Sequence, residues 1–240
     1  MILAQITDSH ILVPEDSAPI GHARADDLRR CVEHISRLDP LPDAVIHTGD
    51  MTHTGDPAAF AHAHEIMAAL AMPLYTTPGN RDGRDAVVPY AVDDHPVRLI
   101  AMDSLSDDGS NKGDFCAARL AALDAMLAAA PDTPTAIILH HPPFDVAGAS
   151  VPFQYTRRAA ADELAAVVGR HGQLIHIFCG HAHRLGTAVI GGVPVSTQPS
   201  VAVDLRFGDF PEAMAACPAY RIHRFETATG FTSELVFATG

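Results

Sequence analysis

Seven side chains able to ligate a metal, Asp8, His10, Asp50, Asn80, His140, His181 and His183, stand at the ends of five separate apolar runs. Oxygen and imidazole donors in that number suit two divalent ions rather than one. Such mixed sites accept Mn, Fe or Zn without choosing among them. The chemistry this set allows is metal-assisted hydrolysis. Two ions about 3.5–4 Å apart can grip a substrate oxygen, lower the pKa of a bound water and neutralise charge in an in-line displacement. Asp50 has two carboxylate oxygens and suits a bridge between the ions. Asn80 adds a neutral carbonyl oxygen that lowers the negative charge of the site.

The elements that must position these donors follow from the apolar pattern. The runs ILAQITDSH, DAVIHTGD, PLYTTPGN, TAIILHH and LIHIFCGHAH have strand length and composition, and VRLIAMDS (97–104) is a sixth. Helical spacing appears over 28–38, 58–70, 117–130 and 157–171. The final segment reads as a hairpin turning at Thr229 and Gly230. This order predicts a layered α/β domain of two packed sheets with helices outside, spanning 1–240 as one unit. Alternation puts Asp8 with His10 on one strand face, and the backbone after Gly180 is expected to turn sharply to aim His181 or His183. The Pro- and Gly-rich stretch 142–155 follows a ligand directly and reads as a loop over the site mouth or a plain surface connection.

Composition bounds the rest. A chain of 240 residues with 48% hydrophobic and 19% charged content can fill a sizeable core. No apolar run is long enough for a membrane span. The start, MILAQITDSH, lacks the basic region of a cleaved signal peptide. Cys31, Cys116, Cys179 and Cys217 are scattered without a CxxC pair, as expected of reduced thiols in a cytoplasmic protein. The formal net charge of -13 disfavours a nucleic-acid surface. Bound divalent ions would offset about four of those charges.

A lone D-x-H or H-x-H arises often by chance. The ordered set Asp8-Ser9-His10, Gly49-Asp50, Gly79-Asn80, His140 and Gly180-His181-Ala182-His183 does not. It is similar to the signature of the calcineurin-like metallophosphoesterase superfamily, D-x-H, G-D-x-x-D, G-N-H-[DE], H and G-H-x-H, over residues 8–183. The texts TGDMTHTGD, PGNRD, HHPP and GHAHR most resemble its class III cyclic-nucleotide and glycerophosphodiester phosphodiesterase branch. That resemblance implies a four-layer α/β/β/α sandwich of two mixed sheets flanked by helices. It implies that Asp8, His10, Asp50 and His183 hold one ion and that Asp50, Asn80, His140 and His181 hold the other. A hydroxide bridging the pair would attack the phosphorus of a small phosphodiester. Phosphomonoesters are the alternative substrates, and a non-catalytic scaffold of the same fold is the alternative outside enzymes. Similar enzymes vary in oligomeric state, so a homo-oligomer remains open.

Two positions depart from the signature. Arg81 stands where the superfamily has the histidine credited with assisting the leaving group or binding the phosphate. An arginine holds its proton at any working pH, yet can make a bidentate contact to phosphate. Arg81 is therefore expected to stabilise charge, unless it is spent on an ion pair with Asp82 or Asp85. His53 replaces the second acid of G-D-x-x-D and is expected either to hydrogen-bond near the site or to be exposed. Several other polar residues have plainer readings. His141 should point away from His140 and pack, and His62 and His64 do not share a helix face. His22, placed in the loop after the first strand, is one candidate for the pocket wall. Gln198 and Ser200 either approach the substrate or form a structural turn, and 106–111 reads as a solvated loop.

Overall fold

Strands buried on both faces carry near-continuous apolar runs, and here such runs build two sheets packed face to face. The computed structural model describes residues 1–13, 19–83 and 87–239. One sheet has the order β11-β10-β1-β2-β3 and the other β4-β5-β6-β7-β9-β8. In the first, β1 (Ile2–Ile6), β2 (Ala44–His47) and β3 (Leu74–Thr76) run parallel. The antiparallel strands β10 (Ala219–Glu226) and β11 (Gly230–Phe237) extend it beside β1. In the second, β5 (Arg98–Ala101), β6 (Thr135–Ile138), β7 (Leu174–Phe178) and β9 (Val193–Thr197) are parallel. The antiparallel edges are β4 (Tyr90–Val92) and β8 (Gly186–Ile190).

Period-two alternation divides each strand between two cores. Ala4, Ile6 and Val45 face α1 (Ile20–Ile35) and α2 (Pro57–Met67), whose Leu28, Val32, Ile35, Ala63 and Ile66 close that cluster. Ile100, Ile137 and Ile177 face α3 (Ala117–Ala128) and α4 (Arg158–Val168) through Leu123, Leu127 and Leu164. Leu3, Ala44, Ile46, Leu99, Ala136, Ile138 and Phe178 meet between the sheets. The four layers are therefore those expected.

Local differences have physical causes. The first helix begins at Ile20 rather than Leu28 because its opening turns bury Gly21, Arg24 and Ala25. Arg24 hides among them by pairing with Asp204 at 2.8 Å, so hydropathy gives no sign of its burial. This places His22 on the exposed side of α1 rather than in a loop or a pocket wall. The strand β4 is three residues long and half-buried, too short for alternation to register.

The inter-sheet layer is not wholly apolar. Gln5 Nε2 donates to Thr48 Oγ1 at 3.0 Å and to the Cys179 carbonyl at 3.1 Å. Its Oε1 accepts from His223 Nε2 at 2.9 Å, and His176 Nε2 bonds Ser196 Oγ at 2.9 Å. Burial pushes His176 down to about 3 and His223 well below the ordinary imidazole value. Both are therefore neutral when folded, whereas the unfolded chain takes up protons near pH 6.5. Their contribution is complete above that pH and falls away as the solution is acidified. Between pH 6.5 and 5, His176 alone should remove about 1.5 kcal/mol of stability. Urea unfolding of His176→Gln should show a correspondingly shallower acid dependence than wild type, and an identical dependence would refute the assignment.

Candidate metal centre

Every candidate ligand lies just past the carboxyl end of a parallel strand, where two sheets open onto one crevice. Strand alternation does not aim them, because the strands have already ended. Asp8, His10, Asp50, His181 and His183 have φ of 52°, 45°, 51°, 65° and 53°, and among the described residues no other non-glycine has positive φ. Asp and His tolerate the left-handed region better than branched residues do. As expected, the chain turns sharply just after Gly180, where Ala182 N donates to the Gly180 carbonyl at 2.7 Å around His181 at positive φ. A Cβ on Gly180 would lie 2.2 Å from Thr7 Oγ1 and 2.8 Å from Asp8 Oδ2, so this glycine lets the second sheet's loop approach the first.

The donor atoms form two adjoining groups. In one, His183 Nε2 is 3.2 Å from Asp8 Oδ1 and 3.2 Å from His10 Nε2. In the other, His140 Nε2 is 3.2 Å from Asn80 Oδ1 and 3.1 Å from His181 Nδ1. Asp50 Oδ2 sits between them, 3.6 Å from His10 Nε2 and 3.5 Å from His140 Nε2. Metal–nitrogen bonds of about 2.0–2.1 Å at roughly 90–110° put neighbouring ligand atoms about 2.9–3.4 Å apart. The spacings within each group fit a shared ion.

Surrounding groups hold three imidazoles with a lone pair facing inward. His140 Nδ1 donates to the Thr48 carbonyl at 2.7 Å, and His183 Nδ1 to the Leu205 carbonyl at 2.9 Å. His181 is reversed: its Nε2 donates to Gln154 Oε1 at 2.9 Å, leaving Nδ1 inward. His10 Nδ1 lies 3.4 Å from Nδ1 of half-buried His53, which gives His53 the hydrogen-bonding role. Asp50 Oδ1 accepts from Arg81 N at 2.7 Å, which frees Oδ2 for the space between the groups.

Burial raises the Asp8 and Asp50 carboxyls, but His183 and His140 overcome it and hold both below their ordinary value. Burial also depresses His140, yet Asp50 and Asp8 drive it up to about 9, and Asp8 raises His183 against the same penalty. Burial dominates at His10 and His181, which fall to about 4 and about 3. The carboxylates thus draw positive charge into a crevice whose remaining donors are neutral lone pairs.

Several supporting residues left no mark in the spacing. Asp82 accepts from Met51 N (3.1 Å), Thr52 N (2.8 Å), Thr52 Oγ1 (3.1 Å) and Gly79 N (3.0 Å). Both its oxygens are spent on backbone, so it is not the partner of Arg81; Asp85 lies outside the described residues. Among those residues the exposed Arg81 guanidinium makes no hydrogen bond or ion pair. His141 does not point away. Its ring lies 4.3 Å from that of His181, while Nδ1 meets Ser104 Oγ at 3.0 Å and Nε2 the Asn111 carbonyl at 3.2 Å. It packs as expected, but against the centre, because the backbone at 140–141 is no longer extended. Ser106 is buried, unlike the exposed residues 107–111 that follow it. Ser200 Oγ donates to the Asp8 carbonyl at 2.6 Å, and buried Gln198 Nε2 to that of Gln5 at 3.0 Å, so both are structural. The stretch 142–155 does border the site, through Gln154.

Comparison with known proteins gives a consistent set of relatives. The profile described as calcineurin-like phosphoesterase matches residues 1–185. A probable glycerophosphodiester phosphodiesterase of Arcobacter nitrofigilis is 29% identical over 97% of this chain and 92% of its own length. A probable cyclic nucleotide phosphodiesterase of Rhodopseudomonas palustris is 31% identical over 84% of this chain and 78% of its own. Among solved structures, a dimetal phosphatase from Danio rerio shares the fold with a TM-score of 0.72. It has 15% identity and covers 100% of this chain and 99% of its own.

The bonds at Asp82 generate a prediction about the centre's frame. An asparagine keeps the shape but turns an NH2 toward backbone donors, leaving some of them unsatisfied at roughly 1–3 kcal/mol each. Asp82→Asn should cost about 2–4 kcal/mol in urea unfolding of the metal-free protein at pH 8. A loss below about 0.5 kcal/mol would show that the turn around Asp50 does not depend on this carboxylate.

Proposed function

The chain belongs to the calcineurin-like phosphoesterase family, and from that premise we propose that it hydrolyses small phosphodiesters of the cyclic-nucleotide or glycerophosphodiester type at a two-ion centre. Asp8, His10, His183 and Asp50 would hold one ion, and Asn80, His140, His181 and Asp50 the other. The observation that carries this reading is the placement of Asp50 Oδ2 between two groups of inward-facing lone pairs. When bound, the ions would supply Lewis acidity and lower the pKa of a coordinated water. The protein's part is to fix the donors: Thr48, Leu205 and Gln154 set the imidazole tautomers, and Arg81 N holds Asp50 in its bridging orientation.

The exposed Arg81 side chain reads as a phosphate contact. It stabilises charge by a bidentate bond and donates no proton near neutral pH. A complete donor set argues against a scaffold that has lost catalysis, and the charge of -13 argues against nucleic acid as substrate. We read 1–240 as one unit, since β10 and β11 complete the sheet that carries Asp8. Four free cysteines agree with a cytoplasmic setting, and among the described residues no helix is long and apolar enough to cross a membrane.

Metal loading should displace protons. His140, held up to about 9, is protonated at pH 7 in the metal-free site and must lose that proton to ligate. Calorimetric titration with Mn at pH 7 in buffers of different ionisation enthalpy should report about one to two protons released per chain. The release should vanish near pH 10, and its absence at pH 7 would remove His140 from the ligand set.

Substrate class is tested by a panel with Mn that compares cyclic nucleotides, glycerophosphodiesters and matched monoesters. Turnover should favour diesters; faster hydrolysis of every matched monoester would replace the diester reading with a phosphatase. No turnover of any ester, bis(p-nitrophenyl) phosphate included, would leave the scaffold. On active substrates Arg81→Ala should lower kcat/KM by about 10- to 100-fold, the range for a lost charge-assisted contact. An unchanged rate on both activated and unactivated esters would take Arg81 out of the reaction.

A further inference from the structure

Beside His181 and His183 the crevice widens into a pocket of about 530 Å³, more space than a phosphate group fills. Its walls include Ala149, Val151, Ala182, Arg184 and Phe207, and among the described lining residues there is no carboxylate. Phe207 lies at the rim with 56% of its surface exposed, a large apolar side chain left facing solvent next to a polar centre. With Val151, 49% exposed on the same wall, it gives the pocket an apolar face open to a ligand.

Three interactions hold that ring in place. Phe207 N donates to the His183 carbonyl at 2.8 Å, tying its backbone to the metal-ligand loop. Its ring lies near-parallel to that of His183, with centroids 6.4 Å apart at 23°. The Arg184 guanidinium stands 5.6 Å from the ring centroid, anchored by Nη1 to the Ala147 carbonyl at 3.0 Å. A prepositioned aromatic face with an adjacent cation is chemistry that stacks planar, electron-rich heterocycles.

The same walls are poorly equipped for a polyol. Hydroxyl groups are recognised by acceptors and amides, and Gln154 has both ends engaged, Oε1 by His181 and Nε2 by the Val151 carbonyl. Ser150 is the remaining uncharged polar side chain of the lining. Resting on the diesterase reading above, we infer that Phe207 and Arg184 form a specificity subsite for a planar aromatic ester substituent. The subsite therefore favours nucleoside cyclic phosphates over glycerol-based diesters. Phe207 supplies the stacking face, and Arg184 fixes the ring and offers donors to heterocycle acceptors.

The matched test uses adenosine 3′,5′-cyclic phosphate and the same cyclic diester with hydrogen in place of the base, both with the Mn-loaded enzyme. The reacting bond is identical in the two, so the ratio of their kcat/KM values isolates the base. Wild type should favour the adenosine compound by about tenfold, within the range of base–aromatic stacking. Phe207→Ala should bring the ratio near one, and Phe207→Tyr should keep it. Because Phe207 is exposed, its replacement leaves the core intact. A wild-type ratio near one with both compounds hydrolysed would overturn the subsite and leave the diesterase standing. A Phe207→Ala ratio equal to wild type would also overturn it. If neither compound nor bis(p-nitrophenyl) phosphate is turned over, it is the diesterase reading that fails.

Discussion

The centre depends on five residues being bent into left-handed backbone at strand ends. A parallel strand points its last side chains above and below the sheet, whereas the crevice lies beyond the edge. Turning Asp8, His10, Asp50, His181 and His183 through positive φ redirects them along the strand axis into shared space. At about 1 kcal/mol each this conformation costs roughly 5 kcal/mol in total, comparable with the whole net stability of a modest domain. Asp and His are among the residue types for which that cost is smallest. The chemistry of ligation and the geometry of the turn therefore select the same amino acids.

What offsets the cost is a frame of hydrogen bonds that joins neighbouring loops within each sheet, while His181 N donates to the Asp8 carboxylate and His140 Nδ1 to the Thr48 carbonyl from one sheet to the other. Asp8 N donates to the Gly49 carbonyl, His10 N to that of Asp50, and Gly180 N to that of His140. A chain of donors runs from Gln5 Nε2 through Thr48 Oγ1 and Thr7 Oγ1 to Asp8 Oδ2, at 3.0, 2.6 and 2.7 Å. Each hydroxyl donates toward the carboxylate, so the polarity of the chain stabilises its negative charge. Gln5 also bonds the Cys179 carbonyl of the opposite sheet, which couples this chain to the strand leading into His181. Inter-sheet packing and ligand placement are in this sense one structure.

The legible part of this arrangement was the part governed by period and residue type. Apolar runs of strand length in ILAQI, AVIH and TAII announced strands, and their polar terminations announced the site. The seven donors converge as expected because their convergence follows from parallel strands sharing one edge. Backbone handedness and tautomer control were not legible. The turn after Gly180 was legible, but no pattern marks that glycine as a point of close approach between the sheets, and none marks Gln154 as the partner of His181 across 27 residues. The role of Asp82 stayed open for the same reason. Its charge allowed an ion pair with the neighbouring Arg81, while its burial commits it to three backbone amides and a hydroxyl. Local sequence lists the groups that can interact, and the fold decides which donors reach them.

That commitment gives Arg81 its meaning. With Asp82 occupied, the arginine is held by its own backbone bond to Asp50 at the edge of the centre, and its side chain extends into solvent. With two divalent ions bound, two carboxylates would leave an excess of positive charge, to which the guanidinium would add attraction for an anionic diester. A histidine in this place could hold charge and also pass a proton to a departing alkoxide, whereas an arginine does only the first. His53, an imidazole beside the donor set, is depressed by burial and by Arg24 and Arg81, and is therefore largely neutral at pH 7. On the proposed reading, such a centre would serve binding and charge neutralisation more than general acid catalysis. The alkoxide of a small diester would then take its proton from solvent rather than from the position of Arg81.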